Sequence, residues 1–195
     1  MGARLQPGFS LVEVMMVVVI VGILIALGIP SFTAWVQNTQ IRTAAESLIN
    51  GLQTAKNEAI RRNSCMQIQF SNKTAWTVNP CSDPLAVPPY AQRAAEEGSV
   101  NADAGRVPST SDTVSFNALG RVVNPNPSDG TPPVTQMDIC NPSMTGAQAP
   151  QMRQLRIEIP PGGSIRMCDP NPSIAATDPR SCSATSGGQA FQTCP

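Results

Sequence analysis

Histidine is absent from this chain, and with it go the Ser-His-Asp and Cys-His nucleophile pairs and every imidazole-ligated metal site. An excess charge of one sign is also missing. Thirteen Lys and Arg balance thirteen Asp and Glu over 195 residues, which gives no general electrostatic reason to bind nucleic acid or anionic lipid. Aromatics make up only 4% of the chain, and no two cysteines stand in CxxC spacing, so a zinc site has no ligand set. No phosphate-cradling glycine loop and no cluster of metal-ligating side chains occurs. These absences argue against an enzyme and against any bound cofactor.

What the chain does hold is unevenly distributed. Seventeen of its nineteen prolines and all six cysteines follow residue 64, while a large share of the apolar residues lies between Phe9 and Ile29. An even number of cysteines in a Pro-rich, loop-rich region reads as three disulfides formed in an oxidising compartment. Six cysteines allow fifteen pairings. One pair has a local argument, because Cys65 and Cys81 flank "MQIQFSNKTAWTVNP", a hairpin around Ser71 to Thr74 that brings both thiols to its open end.

The 21 residues from Phe9 to Ile29 would make a helix about 31 Å long, enough to cross a bilayer core. A signal peptide would have a shorter apolar core and a small-residue cleavage site, and "ALGIPSF" is a poor one. A carboxylate inside a span costs about 2.5–3.5 kcal/mol at its centre and less near an interface, so Glu13 needs headgroup depth or a partner. A cut between Gly8 and Phe9 would supply one, an α-amine four residues away. Pro30 removes a backbone donor and predicts a kink, with Gly22 and Gly28 weakening the same stretch. Beyond it, Ile41, Ala45, Leu48, Leu52, Ala55 and Ala59 recur at helical spacing, predicting an amphipathic helix to about Asn63.

Strands are expected at Cys65 to Phe70 with Thr74 to Val78, at Asp112 to Phe116, and at Gln154 to Ile159. Shorter ones are expected at Val122 to Val123, Gln136 to Cys140 and Ser164 to Cys168. A long helix followed by mostly antiparallel strands implies an α+β ladle, with the second half of the helix lying across the sheet. The divisions expected are residues 1–8 ahead of the apolar stretch, 9–30 as a transmembrane helix, 31–63 as an amphipathic continuation and 64–195 as a β-rich, disulfide-bearing domain.

"GFSLVE" ahead of the apolar stretch resembles the class III signal of type IV pilins and type II secretion pseudopilins. "LQTAKNEAIRRNSCMQIQF", "FNALGRVV" and "GGSIRMCDPNPSIAATDPRSC" look like the GspH/FimT group, in particular its minor pilins of type IVa pili. The resemblance implies that a prepilin peptidase cuts after Gly8 and N-methylates Phe9, and that Glu13 pairs with a neighbouring subunit's amine during assembly. It further implies that the helix melts between Gly22 and Pro30 in a filament, and that Cys168 pairs with Cys182. Cys140 with Cys194 is expected as a further pair. The function implied is a minor pilin that joins other minor pilins and the major pilin in a priming and tip complex, working with the inner-membrane assembly platform. The chain would sit in the inner membrane as a single-pass protein and then at the pilus tip, its globular part periplasmic or extracellular.

Two other roles follow from the same resemblance. One is a GspH-type pseudopilin of type II secretion. The other is a DNA-binding minor pilin for natural transformation, since some relatives bind DNA through a Gly-Arg-x-Arg stretch. Here that stretch reads Gly163, Ser164, Ile165, Arg166, with Ser in place of the first Arg. Arg153, Arg156, Arg166 and Arg180 are the cations available for DNA, interleaved with Glu158, Asp169 and Asp178 to a net charge of only plus one.

Overall fold

A computed structural model of the chain describes residues 8–95, 97–144, 150, 152–171, 173–175 and 177–182. One helix, α1 (Leu11–Arg62), opens the fold. Ser10 caps its start, its Oγ accepting from the Glu13 amide at 3.2 Å. Its end is closed by Asn63 in the left-handed conformation (φ 50°), a state Asn tolerates better than most side chains, and by the Ser64 amide donating to the Ala59 carbonyl. Arg61 and Arg62 sit in the last turn, where cations suit the helix dipole.

The two halves of α1 meet different surroundings. Every described residue from Phe9 to Ile29 is exposed, whereas Ile41, Ala45, Leu48, Leu52, Ala55 and Ala59 are fully buried, joined by Ala44. The helix axis is not straight. Arms Leu11–Ala26 and Ser31–Arg62 are set at 41° to each other, and neither alone is long and apolar enough to cross a membrane, though the bent pair is by length and composition. The bend falls where Pro30 predicts a kink. Gly28 and Pro30 stand in the break, where a missing proline amide interrupts the hydrogen-bond ladder.

Among the described residues eight strands follow: β1 (Met66–Phe70), β2 (Trp76–Pro80), β3 (Ala91–Arg93), β4 (Asp103–Val107), β5 (Thr113–Phe116), β6 (Gln136–Cys140), β7 (Leu155–Glu158) and β8 (Arg166–Cys168). They form two antiparallel four-stranded sheets, in the orders β3-β2-β1-β5 and β4-β6-β7-β8, rather than one. The split has a local cause. The free edge of β5 is taken by connecting chain, with the Val123 amide donating to Ser115 and the Val134 amide to Thr113, so no strand of the second sheet can join there. Val122 to Val123, expected as a strand, is reduced to a single bridge with Phe116, because the turn at Gly120 (φ 71°) precedes it and Pro125 and Pro127 follow.

β2 begins two residues later than expected. The turn runs on to Ala75, whose carbonyl accepts from Ser71 and whose amide donates to Asn72, and Lys73 takes a left-handed φ of 54°. In the resulting register Ile68 faces Val78 and Phe70 faces Trp76. β3 and β4 have compositions, "AQR" and "DAGRV", that carry no strand signal. They are strands because they complete sheet edges. The core is one cluster in which the α1 stripe lies on Met66, Ile68, Val78, Val114 and Phe116 of the first sheet and on Met137, Ile139 and Ile157 of the second. Gly51 permits the close approach of Trp76: a Cβ there would lie 2.8 Å from the indole, whose Nε1 donates to Ser47 Oγ at 3.1 Å.

Candidate assembly and anchoring surface

The N-terminus is built around Ser10 and Glu13. Ser-x-x-Glu at these positions is a capping-box spacing, and Glu13 in the first turn lies where the helix dipole favours a carboxylate. The same placement holds that carboxylate close to where a new amine at Phe9 would stand. This local reason for an acid in the first turn was legible in "SLVE" and is independent of any pairing with another subunit. Phe9 is 83% exposed, and a Cβ added at Gly8, Gly22 or Gly28 would meet nothing within 4 Å, so packing within the described chain does not demand glycine at any of the three.

Among the described residues two cysteine pairs staple the β-rich part. Cys65 bonds Cys81 with Cα atoms 5.4 Å apart, at the open end of the β1–β2 hairpin, where the Cys81 amide also donates to the Cys65 carbonyl. Cys168 bonds Cys182 at a Cα separation of 4.9 Å, closing the segment after β8. Cys140 is also disulfide-bonded; its expected partner Cys194 lies outside the described residues, as does the leader up to Pro7. Glu158 comes close to Cys168 and Cys182, but those sulfurs are bonded to each other, which removes the thiolates a metal would need.

The stretches "FNALGRVV" and "GGSIR" turn out to meet. Asn117 Oδ1 accepts from the amides of Leu119 and Arg121, forming the first turn, and the Val122 amide donates to the Pro161 carbonyl. A Cβ at Gly163 would lie 2.1 Å from the Gly120 carbonyl oxygen, and Gly163 itself has φ 75°. Lys56, near the C-terminal end of α1, donates its Nζ to the Gly163 carbonyl at 2.8 Å. Gly163 therefore has a packing role that joins the helix to both turns, and the part of Lys56 in that junction has no signal in the local sequence.

The four arginines considered for DNA are not a free cationic patch. Arg156 is buried and bidentate on Asp138, with Nε to Oδ1 at 2.6 Å and Nη2 to Oδ2 at 3.1 Å. Arg166 donates to Glu158 at 3.1 Å and to the Ser181 carbonyl at 2.7 Å, and Arg180 pairs with Asp178 at 2.8 Å. The Arg180 hydrogen bonds hold the Asp178 carboxyl at about 2. Arg153 is exposed, and among the described residues it has no ion pair. Burying Arg156 among strands takes its guanidinium out of reach of a phosphate, which corrects its place in the expected DNA contact.

At the far end of α1, Glu58 accepts from Arg61 and from Arg62, and the Arg62 guanidinium lies 4.8 Å from the Tyr90 ring centroid. The Arg61 hydrogen bond, opposed by burial and reinforced by Arg62, brings the Glu58 carboxyl down from 4.5 to about 2.

Comparison with known proteins places both halves. The model of the family described as type II transport protein GspH matches residues 44–180, and that of the prokaryotic N-terminal methylation motif matches residues 3–29. Two fimbrial proteins of Pseudomonas aeruginosa are each 44% identical over 57 residues, 29% of this chain. The chain spans only 36% of those relatives' length. Crystal structures of the type IV minor pilin FimU of Pseudomonas aeruginosa PAO1 are 18% identical, with TM-scores of 0.48 and 0.46. They cover 68% and 65% of this chain, and 91% and 90% of their own.

Proposed function

We propose that this chain, which belongs to the GspH family and is a structural protein rather than an enzyme, is a minor pilin that enters a priming and tip complex of a type IV pilus. The observation that carries the reading is the division of α1. A helical stretch whose described residues up to Ile29 are all exposed is continuous with one buried in a family domain, so the free half is available first to lipid and then to other subunits. In this reading residues 1–8 are the leader, 9–30 the anchor and assembly helix, 31–63 its continuation and 64–195 the periplasmic or extracellular domain. Gly8 supplies the cut, Phe9 the methylated amine, Glu13 its partner on a neighbouring subunit, and the Gly22 to Pro30 stretch the segment that gives way in a filament. Cys140 with Cys194 completes the disulfides.

Other minor pilins, the major pilin, the prepilin peptidase and the inner-membrane platform are the partners of this reading. Mass spectrometry of protein from the native membrane tests the first step, with N-methylated Phe9 as the new terminus expected. Deleting the gene should reduce surface piliation and twitching. Unchanged piliation overturns the assembly role.

A second reading, a pseudopilin of type II secretion, is favoured by the description of the family that matches residues 44–180. Loss of secreted enzymes with normal piliation on deletion would select it. Binding of DNA has less support, since three of the four arginines are engaged by carboxylates. A salt-sensitive shift of duplex DNA by the purified protein, abolished by Arg166→Ala, would restore it.

A further inference from the structure

Just past the bend, two aromatic rings stand on the outside of α1. Phe32 is 63% exposed and Trp35 64% exposed, and their ring centroids are 5.9 Å apart. In a chain with five Phe, two Trp and one Tyr, this is a marked investment in a single exposed turn. Trp76, the second tryptophan, is buried against Gly51 and hydrogen-bonded to Ser47. The core therefore does not use the ring at position 35. On the opposite side of the same turn Ala34 is buried and is where the helix first enters the core.

The position along the helix is informative. Below Phe32 lies an arm that is apolar apart from Glu13 near its start, and every residue of it whose burial is described is exposed. Above it, the exposed side of α1 changes to Thr39, then to the Arg42–Glu46 ion pair at 2.8 Å. The aromatic pair thus marks the boundary between a hydrocarbon-like surface and a charged one. Rings that are apolar on their faces, with one carrying an N–H donor, fit a layer that is half wet. Arg153 stands at the same boundary. Its backbone amide donates to Asn38 Oδ1 at 2.9 Å, which puts it one helical turn beyond Trp35, about 4.5 Å further along the axis.

We propose that Phe32 and Trp35 are the interfacial anchor of the unassembled subunit, seated in the lipid headgroup layer on the domain side of the bilayer, with Arg153 on lipid phosphates. This rests on the reading of α1 as a membrane anchor. The physical consequence is a fixed depth. With the rings held at the interface, the 41° break between Ala26 and Ser31 falls just inside the hydrocarbon boundary. The domain is then held against the headgroups rather than free to ride away from them. Indole and phenyl rings resist both deeper insertion and withdrawal, while a Lys or Glu at position 35 would resist only insertion.

The full chain reconstituted in vesicles of phosphatidylcholine and phosphatidylglycerol tests this. Flotation first establishes whether the protein is anchored at all; a protein that does not float overturns the anchor reading, and the proposal with it. In protein that floats, emission is quenched by lipids brominated either near the headgroup or at mid-chain. The Trp35 signal is isolated as the difference between the wild type and Trp35→Phe. Stronger loss with shallow than with deep bromines is expected. Equal or stronger loss with deep bromines, or no loss at all, overturns the proposal while leaving the anchor intact, the last outcome marking the rings as a surface for another protein. Raising the phosphatidylglycerol fraction should shift Trp35 emission in the wild type and not in Arg153→Ser. An identical shift in both removes Arg153 from the site.

Discussion

The Arg156 guanidinium grips the Asp138 carboxylate through two hydrogen bonds across strands β6 and β7, and both side chains are buried. Asp138 accepts a further bond from Gln136 Nε2 at 3.1 Å, and the next pair along β7 is Glu158 with Arg166. A polar ladder of this kind is costly to break from one side, because the remaining charge stays out of water.

Arg156→Ala should therefore destabilise the protein by about 3 kcal/mol, whereas joint replacement of Arg156 by Met and Asp138 by Leu should recover most of the loss. Urea unfolding of the purified chain, followed by far-UV circular dichroism, checks this. A double variant no more stable than the single one would show that the pair stabilises rather than specifies.

Acid should loosen the end of α1. Glu58 titrates at about 2 in the folded protein against an ordinary 4.5, so its contribution is complete above pH 4.5 and is lost as pH falls toward 2. Glu58→Gln should flatten the fall in melting temperature across that window. It should not abolish it, since Asp178 is held equally low by Arg180. An unchanged acid profile in Glu58→Gln would refute the assignment.

Gly163→Ala should be among the most damaging single changes, at about 3 kcal/mol, because overpacking against the Gly120 carbonyl adds to left-handed strain. Gly130 supplies the control. Its φ is 71°, and a Cβ there meets open space, so Gly130→Ala should cost only about 1–2 kcal/mol. Melting temperatures of the two variants decide between packing and backbone strain alone.

Replacing Cys65 and Cys81 together by Ser should cost about 3 kcal/mol, the loop-closure value for a crosslink spanning 16 residues. The hairpin should still form, because Ile68 and Val78 remain paired in the core. Thermal unfolding and retention of far-UV circular dichroism at low temperature are the measurements.

Gly51→Ala offers the reverse of the usual helix rule. Alanine gains about 1 kcal/mol of helix propensity over glycine, yet its methyl would meet both the Trp76 indole and Ile68 Cδ1 at under 3 Å. A net loss of about 1 kcal/mol is expected, with a changed Trp76 emission as its local signature. A more stable variant would mean that the indole can move aside.

Several features were legible because they are local. The Ser10 cap, the apolar stripe from Ile41 to Ala59, the Cys65–Cys81 hairpin and the strand at Gln136 to Cys140 each follow from periodicity or from groups a few residues apart. The alternation in Gln154 to Ile159 was equally plain, but its natural reading, polar side to water, does not hold. Arg156 and Glu158 are buried along with Ile157, because Asp138 and Arg166 on flanking strands neutralise them.

Sequence by itself determined which stretch of the helix is almost continuously apolar, where that helix bends and which face of its second half is apolar, since these depend on the order of residues along one segment. Only the tertiary structure decided that there are two sheets, that "AQR" and "DAGRV" are strands, and that Gly120, Gly163 and Lys56 form one junction. Those outcomes depend on groups up to 107 positions apart competing for the same edge or the same space, and no local propensity encodes which of them arrives.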